Sequence, residues 1–230
     1  MDGGIPRPAA APGSGERARA YDAWFEAGWG RHAFAVEAAA ILGATGPLEG
    51  LRALDAGCGT GRFGALLEEG GARVVGLDAD PGMLAVAAGR LRGAPVLGDV
   101  RDLPFRDAAF DLAVAVTVLE FVDVPARAVD ELARVVRRGG RIVVGALSPA
   151  SPWGLAHRRR LHEPPWDRAR FLPAAELRAL GARHGRIALR SVLFAPGAMP
   201  GLAALGPALE RAGRLAPAFG AFRVLAVDRR

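Results

Sequence analysis

The residues best placed to do chemistry form one run, Asp55-Ala56-Gly57-Cys58-Gly59-Thr60-Gly61, followed by Asp78 and then Asp99. Glycines at this spacing let the backbone turn tightly and let a ligand approach without meeting a Cβ. The spacing alone does not choose the ligand. Gly59, Gly61 and Gly64 also spell G-x-G-x-x-G, the dinucleotide pattern, and Asp78 stands where a ribose-binding acid belongs on either reading. An NAD(P)-dependent oxidoreductase is therefore a rival. Charge separates the two, because carboxylates beside the turn repel a pyrophosphate. Asp55, Asp78 and Asp99 fall at three consecutive expected strand ends and suit a phosphate-free, cationic nucleoside instead. S-adenosylmethionine (SAM), with a sulfonium, an ammonium and one carboxylate, is such a nucleoside.

Strands alternating with helices must position these residues. Leu51 to Ala56, Arg73 to Leu77, Pro95 to Leu97, Phe110 to Val116 and Arg141 to Leu147 read as strands. Arg62 to Glu69, Pro81 to Leu91 and Pro125 to Arg137 read as the helices between them, the last closed by Gly139-Gly140. This alternation implies a parallel sheet with right-handed crossovers, and ligands of such sheets bind at the carboxyl ends of the strands. Upstream, a helical pattern from Arg17 carries Tyr21, Trp24, Phe25 and Trp29 as aromatic anchors, is broken by Gly28 and Gly30, and resumes from Phe34 to Leu42. Downstream, residues 148–172 mix Pro, Gly, two Trp, two His and an Arg run, and read as a lid or substrate loop. Pro173 to His184 is an expected helix; Arg186 to Phe194 and Phe222 to Val227 are expected strands. The expected organisation is a flexible tail, residues 1–16, and one α/β domain, residues 17–230.

Composition excludes several classes. Hydrophobic residues at 51% and charged residues at 23% are a globular balance, not a disordered one. All 30 cationic residues are Arg, and Lys, Asn and Gln are absent. Residues 1–150 carry 16 Arg against 19 acids, and residues 151–230 carry 14 against 5. The basic part could face an anionic partner, but no RNA-binding module or long basic tail accompanies it. No apolar run reaches the roughly 18 residues of a membrane span, and the N-terminus lacks the pattern of a secretory signal. A single cysteine, Cys58, fits a reducing cytoplasm and reads as a small buried residue.

The chain resembles the class I SAM-dependent methyltransferases of the type 11, or UbiE-like, group. LDAGCGTGRFG is similar to the first motif of that family, VVGLDADPGML to the second, VLGDVRDLPFRDAAFDLAVAVTVLEFV to the third and fourth, and ELARVVRRGGRIVVGAL to the fifth. The resemblance implies a Rossmann-like, doubly wound sheet of seven strands in the order 3-2-1-4-5-7-6, the last antiparallel, with helices on both faces. It implies that Gly57, Gly59 and Gly61 floor the methionine part of SAM and that Asp55 helps position its ammonium. Asp78 would accept both ribose hydroxyls, Met83 would pack on adenine, Asp99 would accept from its amino group, and the Val100 N–H would serve a ring nitrogen. Thr117 would lie under the methionine chain, and Tyr21 would close over the cofactor. No metal is implied.

Methyl transfer from a sulfonium is an in-line displacement, so a base is needed only when the acceptor must lose a proton. Glu120, just past the fourth strand, and His157 and His162 in the lid are the candidates. Glu163-Pro164-Pro165-Trp166 is similar to a motif of nucleic-acid amino-methyltransferases but lies far from the fourth strand, where that motif belongs, and reads as lid geometry. The expected partner is a small-molecule methyl acceptor, with an RNA or protein acceptor as the alternative, in a monomer or homodimer.

Overall fold

The computed structural model describes residues 14–26, 28–151, 154–155, 169–194, 206–213 and 215–230. Its strands are β1 (Arg52–Ala56), β2 (Arg73–Asp78), β3 (Val96–Leu97), β4 (Phe110–Val116), β5 (Val136–Leu147), β6 (Gly185–Val192) and β7 (Phe222–Arg229). They form one sheet in the order β3-β2-β1-β4-β5-β7-β6. The first five pair in parallel, and β7 runs antiparallel between β5 and β6. This is the topology that the resemblance implied.

Side-chain alternation along the strands splits the core in two. Leu54, Ala113, Ile142 and Val144 point to one face, where α5 (Pro125–Val135) and α6 (Ala174–Ala182) cover them with Ala128, Leu132 and Leu177. Ala53, Leu112, Val114 and Val143 point to the other, under Ile41 of α2 (Gly28–Thr45) and Leu67 of α3 (Arg62–Glu69). β4, at the centre, is apolar and buried along nearly its whole length because both its faces are covered. Each fully buried Leu or Ile contributes roughly 1.5–3 kcal/mol, so double-sided burial fixes the strand ends on which the site is built.

Two glycine pairs act differently from the sequence reading. α1 (Ser14–Trp24) starts before Arg17, and α2 starts at Gly28 rather than Phe34. Gly28 has φ +55°, and a Cβ on Gly30 would strike the carbonyl of Trp24. The helical pattern does break between α1 and α2, but both glycines lie in the first turn of α2, where they let it begin close against the end of α1. Gly139-Gly140 does not close α5, which ends at Val135. Val136 already pairs with Phe110, and the register then jumps so that Leu112 pairs with Arg141. Gly139 has φ +76°, and a Cβ on Gly140 would meet the Asp111 carbonyl. The glycine pair forms an irregularity at the entry to β5. α4 (Pro81–Ala87) is shorter than expected; Asp80 caps it, accepting from Gly82 N–H at 2.7 Å.

Candidate functional site

The glycine turn leaves β1 at its carboxyl end. Gly57, Gly59 and Gly61 have φ of +73°, +53° and +82°. The N–H groups of Gly57 and Cys58 both donate to Leu77 O, at 2.6 and 2.8 Å, and tie the turn to β2. A Cβ at Gly57 would overlap Val118, whereas one at Gly59 would meet nothing within 4 Å. The turn is therefore packed at Gly57 and faces open space at Gly59. Cys58 is buried, and burial raises its thiol pKa well above the ordinary value, which keeps it protonated and inert.

Asp78 ends β2 beside this turn. Its Oδ2 accepts from Gly59 N–H at 2.8 Å and its Oδ1 from Asp80 N–H at 2.9 Å. Each carboxylate oxygen has a second acceptor site, so both can still receive hydroxyl donors. Burial raises the Asp78 pKa, against the lowering pull of the Asp80 and Gly59 N–H groups. Thr117, at the end of β4, has φ +52°, a strained conformation for a β-branched residue of the kind found at binding sites. The Tyr21 phenol reaches the Thr117 side chain. Burial, then the charges of Glu37 and Asp78, push its pKa up. Tyr21, Asp78 and Thr117, far apart in sequence, thus meet around the turn. Met83 is half-buried in the first turn of α4, and Val100 is buried just after Asp99.

The other two carboxylates do not join Asp78 on an open surface. Asp55 is 1% exposed, and its carboxylate lies beneath the start of α3 against Gly64, whose backbone N–H lowers its pKa, while its buried Oδ2 has no hydrogen-bond partner among the described residues. The free N–H groups and positive dipole end of a helix N-terminus draw a carboxylate into that position. Burial raises its pKa to about 7. Asp99 is clamped by Arg101, whose backbone N–H donates at 2.8 Å and whose guanidinium spans both oxygens at 2.6 to 3.1 Å. Of the three acids, Asp78 is the one whose bonds join the glycine turn.

Glu120 sits in the 3₁₀ turn Leu119–Phe121 and is 1% exposed. Its Oε1 accepts from Leu147 N–H at 2.6 Å, while its buried Oε2 has no hydrogen-bond partner among the described residues. Burial raises its pKa to about 7, against the Leu147 bond. Near enough to feel its charge is Glu37 of α2, a residue the sequence reading missed. Burial and then the Glu120 charge raise the Glu37 pKa to about 8. The signal was present: Ala33, Glu37 and Ile41 are spaced four apart and share the buried stripe of α2. His157, His162, Arg158-Arg159-Arg160 and Glu163-Pro164-Pro165-Trp166 lie outside the described residues.

A second unforeseen group fastens α1 across the turn. Asp22 accepts from Arg62 Nε at 2.7 Å, from Arg90 Nη1 and Nη2 at 3.0 and 2.9 Å, and from Thr60 Oγ1 at 2.7 Å. Arg62 also pairs with Glu26 and lies over the rings of Phe25 and Phe34, 5.2 and 5.7 Å from their centroids. Burial alone would raise the Asp22 carboxyl, but the Arg90, Arg62 and Thr60 bonds outweigh it and hold the pKa far below the usual carboxylate range. Opposite the strand ends, a concavity near the start of β5 is lined by Asp107, Asp130, Arg134 and His184. Within it Arg134 pairs with Asp107 at 2.8 Å, and His184 Nε2 lies in hydrogen-bond contact with Asp130 at 2.9 Å.

Comparison with known proteins agrees with this geometry. Residues 54–144 match the model of a methyltransferase domain family. An uncharacterized protein of Mycobacterium tuberculosis is 37% identical over 202 residues, covering 84% of this chain and 66% of that protein. A malonyl-[acyl-carrier protein] O-methyltransferase of Serratia marcescens is 42% identical over 113 residues, 48% of this chain and 44% of that enzyme. The chain thus spans just under two thirds of the first and less than half of the second. A crystal structure of a SAM-dependent methyltransferase of Thermotoga maritima, described as a possible histamine N-methyltransferase, superposes with TM-score 0.73 at 25% identity over 94% of this chain and 97% of that one. The strand order, the glycine turn and the motif sequence agree with one another: residues 54–144 match a methyltransferase domain of the type 11 group, and the fold is that of the SAM-dependent methyltransferases.

Proposed function

We propose that the chain transfers a methyl group from SAM to a small-molecule acceptor in the cytoplasm. The observation that carries this reading is the open space beside Gly59, bordered by Asp78, whose carboxylate also fastens that glycine. A nucleoside would lie there. The Gly57–Gly61 turn would floor the methionine part, the Asp78 oxygens would accept the ribose hydroxyls, and Met83 would pack on adenine. The Val100 N–H and Asp99 would serve the adenine edge once Asp99 releases Arg101. Asp55 would act from below by fixing the turn and the start of α3. Thr117 would lie under the methionine chain with Tyr21 closing over it. SAM supplies a methyl group on a sulfonium, its own leaving group, so these residues bind, orient and exclude water.

The acceptor would lie beyond Thr117, toward the ends of β4 and β5. α1, tied across the turn by Asp22, favours a small acceptor over a long polymer. Basic residues after residue 150 are partly committed within the chain: Arg170 to Glu176 at 2.7 Å, Arg186 to Asp228 at 3.0 Å, and Arg223 to Leu172 O at 3.4 Å. This weakens the case for a nucleic-acid substrate. No described helix is long and apolar enough to cross a membrane, and the lone buried thiol suits a reducing compartment. The Thermotoga relative's description places amines among the acceptors to screen.

The test is incubation with methyl-labelled SAM and source-organism extract, followed by acid precipitation. Label in an acid-soluble product separated chromatographically from unreacted SAM, absent with Asp78→Ala, is expected. Label confined to precipitated RNA or protein contradicts the small-molecule reading.

A further inference from the structure

Glu37 and Glu120 belong to no role assigned so far for the cofactor. One comes from the buried stripe of α2 and the other from the 3₁₀ turn after β4. Both are buried, at 9% and 1% exposure, and close enough for the charge of Glu120 to act on Glu37. Glu120 has a fixed oxygen and a spare one. Leu147 N–H, at the end of β5, holds Oε1, and this fastens the carboxyl of the turn after β4 to the neighbouring strand. Oε2 is left buried without a partner among the described residues, and so is Ser148 Oγ, next in the chain to the Leu147 donor. No described Arg side chain bonds or pairs with either carboxylate.

Leaving a buried carboxylate oxygen unpaired costs about 1–3 kcal/mol or more. Two buried carboxylates within mutual reach cannot both stay charged without a proton or a cation between them. The glycine turn and Asp78 end β1 and β2, whereas Glu120 follows β4 and is bonded to the end of β5, one strand further along the sheet from β1.

We propose, resting on the methyltransferase reading above, that Glu37 and Glu120 form the acceptor subsite and take a primary or secondary amine as its ammonium ion. An ammonium offers several N–H donors and the charge that the pair lacks. A hydroxyl of the same shape offers one donor and no charge. The pair also solves a chemical problem, because an ammonium nitrogen has no lone pair and cannot be methylated. One carboxylate takes a proton: an N–H bond breaks and an O–H bond forms on Glu37 or Glu120. The freed nitrogen lone pair forms the new N–C bond, while the electron pair of the breaking C–S bond stays on sulfur. The products are the N-methylammonium ion, S-adenosylhomocysteine and one proton, which the carboxyl returns to solvent. Burial adapts the pair to this task by holding its proton affinity nearer to that of an amine than an exposed carboxylate could.

The test uses thermal unfolding of the full chain with saturating S-adenosylhomocysteine and a panel of probes. Methylamine, benzylamine, tryptamine and spermidine are compared with methanol, benzyl alcohol and tryptophol. At least one amine should raise the melting temperature above that with S-adenosylhomocysteine alone, and no alcohol should. Glu37→Gln and Glu120→Gln should keep the S-adenosylhomocysteine shift and weaken amine binding at least tenfold. The stabilising amine should also receive label from methyl-labelled SAM on nitrogen. The proposal is overturned if no amine adds stability, if alcohols do as well as amines, or if the Gln variants keep the amine shift. It is also overturned if they lose the S-adenosylhomocysteine shift, since the pair would then hold the cofactor's own ammonium. The wild-type comparison of amine with alcohol depends on neither variant folding. Failure of S-adenosylhomocysteine to shift the wild type would be a different result, striking the methyltransferase reading itself.

Discussion

Replacing Asp22 with Asn removes one charge from the centre of the network that holds α1 across the glycine turn. The Asn side chain is nearly isosteric, so the loss is electrostatic. Three guanidinium N–H groups and one hydroxyl, at 2.7 to 3.0 Å, donate to this carboxylate. The side chains of Asp22, Arg62 and Arg90 are 17%, 14% and 28% exposed, so solvent screens them only in part. Breaking a fully buried ion pair costs about 3–5 kcal/mol. Screening and the remaining Glu26 partner of Arg62 reduce this to about 2–3 kcal/mol here. In a chain of this size that is a fall in Tm of roughly 4–12 °C. The loss should concentrate in α1, whose amides should exchange faster than those of β4. The pH dependence has a definite sign. Asp22 has a depressed folded-state pKa, so its contribution is fully present above its unfolded value near 4 and is lost as pH falls through the folded one. Wild type and Asp22→Asn should therefore differ by a constant amount from pH 8 to about pH 5 and converge in stronger acid. Urea unfolding at several pH values, with hydrogen exchange on α1, measures both. A difference under about 0.5 kcal/mol at pH 7 with unchanged α1 exchange would refute the assignment of this network as the fastening of α1.

Further expectations concern the turn and the buried acids. Gly57→Ala places a Cβ against Val118 at φ +73°, and should destabilise the chain by about 1–3 kcal/mol and weaken S-adenosylhomocysteine binding, read by urea unfolding and calorimetry. Glu37 and Glu120, at about 8 and about 7, have raised folded-state pKa values. The stability they lend is full below about pH 4 and lost as pH rises through 7 and 8. Wild-type stability should thus fall by a few kcal/mol between pH 5 and pH 9, and the double Gln variant should flatten that slope in denaturant titrations. Arg101→Ala removes an exposed local ion pair, so it should leave stability essentially unchanged. By freeing Asp99 it should leave S-adenosylhomocysteine affinity equal or tighter, and a tenfold loss would remove Asp99 from the adenine edge.

The sheet was legible because its signals are local. The unbroken apolar run Phe110–Val116 and the strand–glycine–helix sequence around Asp55 each admit few conformations, and their order determines the topology. The glycine pairs were misread because a glycine required by a close approach, as at Gly30 against Trp24 or Gly140 against Asp111, looks in sequence like a helix end. At the site, Asp78 and Thr117 could be found because each directly ends a strand. Asp22, Arg62 and Arg90 could not, because charged residues on two helices and on the turn after α4 look solvated until packing brings them together. Asp55 and Asp99 show the reverse. Their positions at strand ends were read correctly, but the Gly64 N–H and the Arg101 guanidinium, which decide where each carboxylate points, are visible only in three dimensions.

The central claim is that a cationic nucleoside, not a dinucleotide, occupies the cleft between Asp78 and the Gly57–Gly61 turn. Isothermal titration of the full chain with S-adenosylhomocysteine, and separately with NAD+ and NADP+, tests it most directly. The account predicts one saturable S-adenosylhomocysteine site, weakened at least tenfold by Asp78→Ala, and no heat from either dinucleotide. Saturable binding of NAD+ or NADP+ without binding of S-adenosylhomocysteine would contradict it.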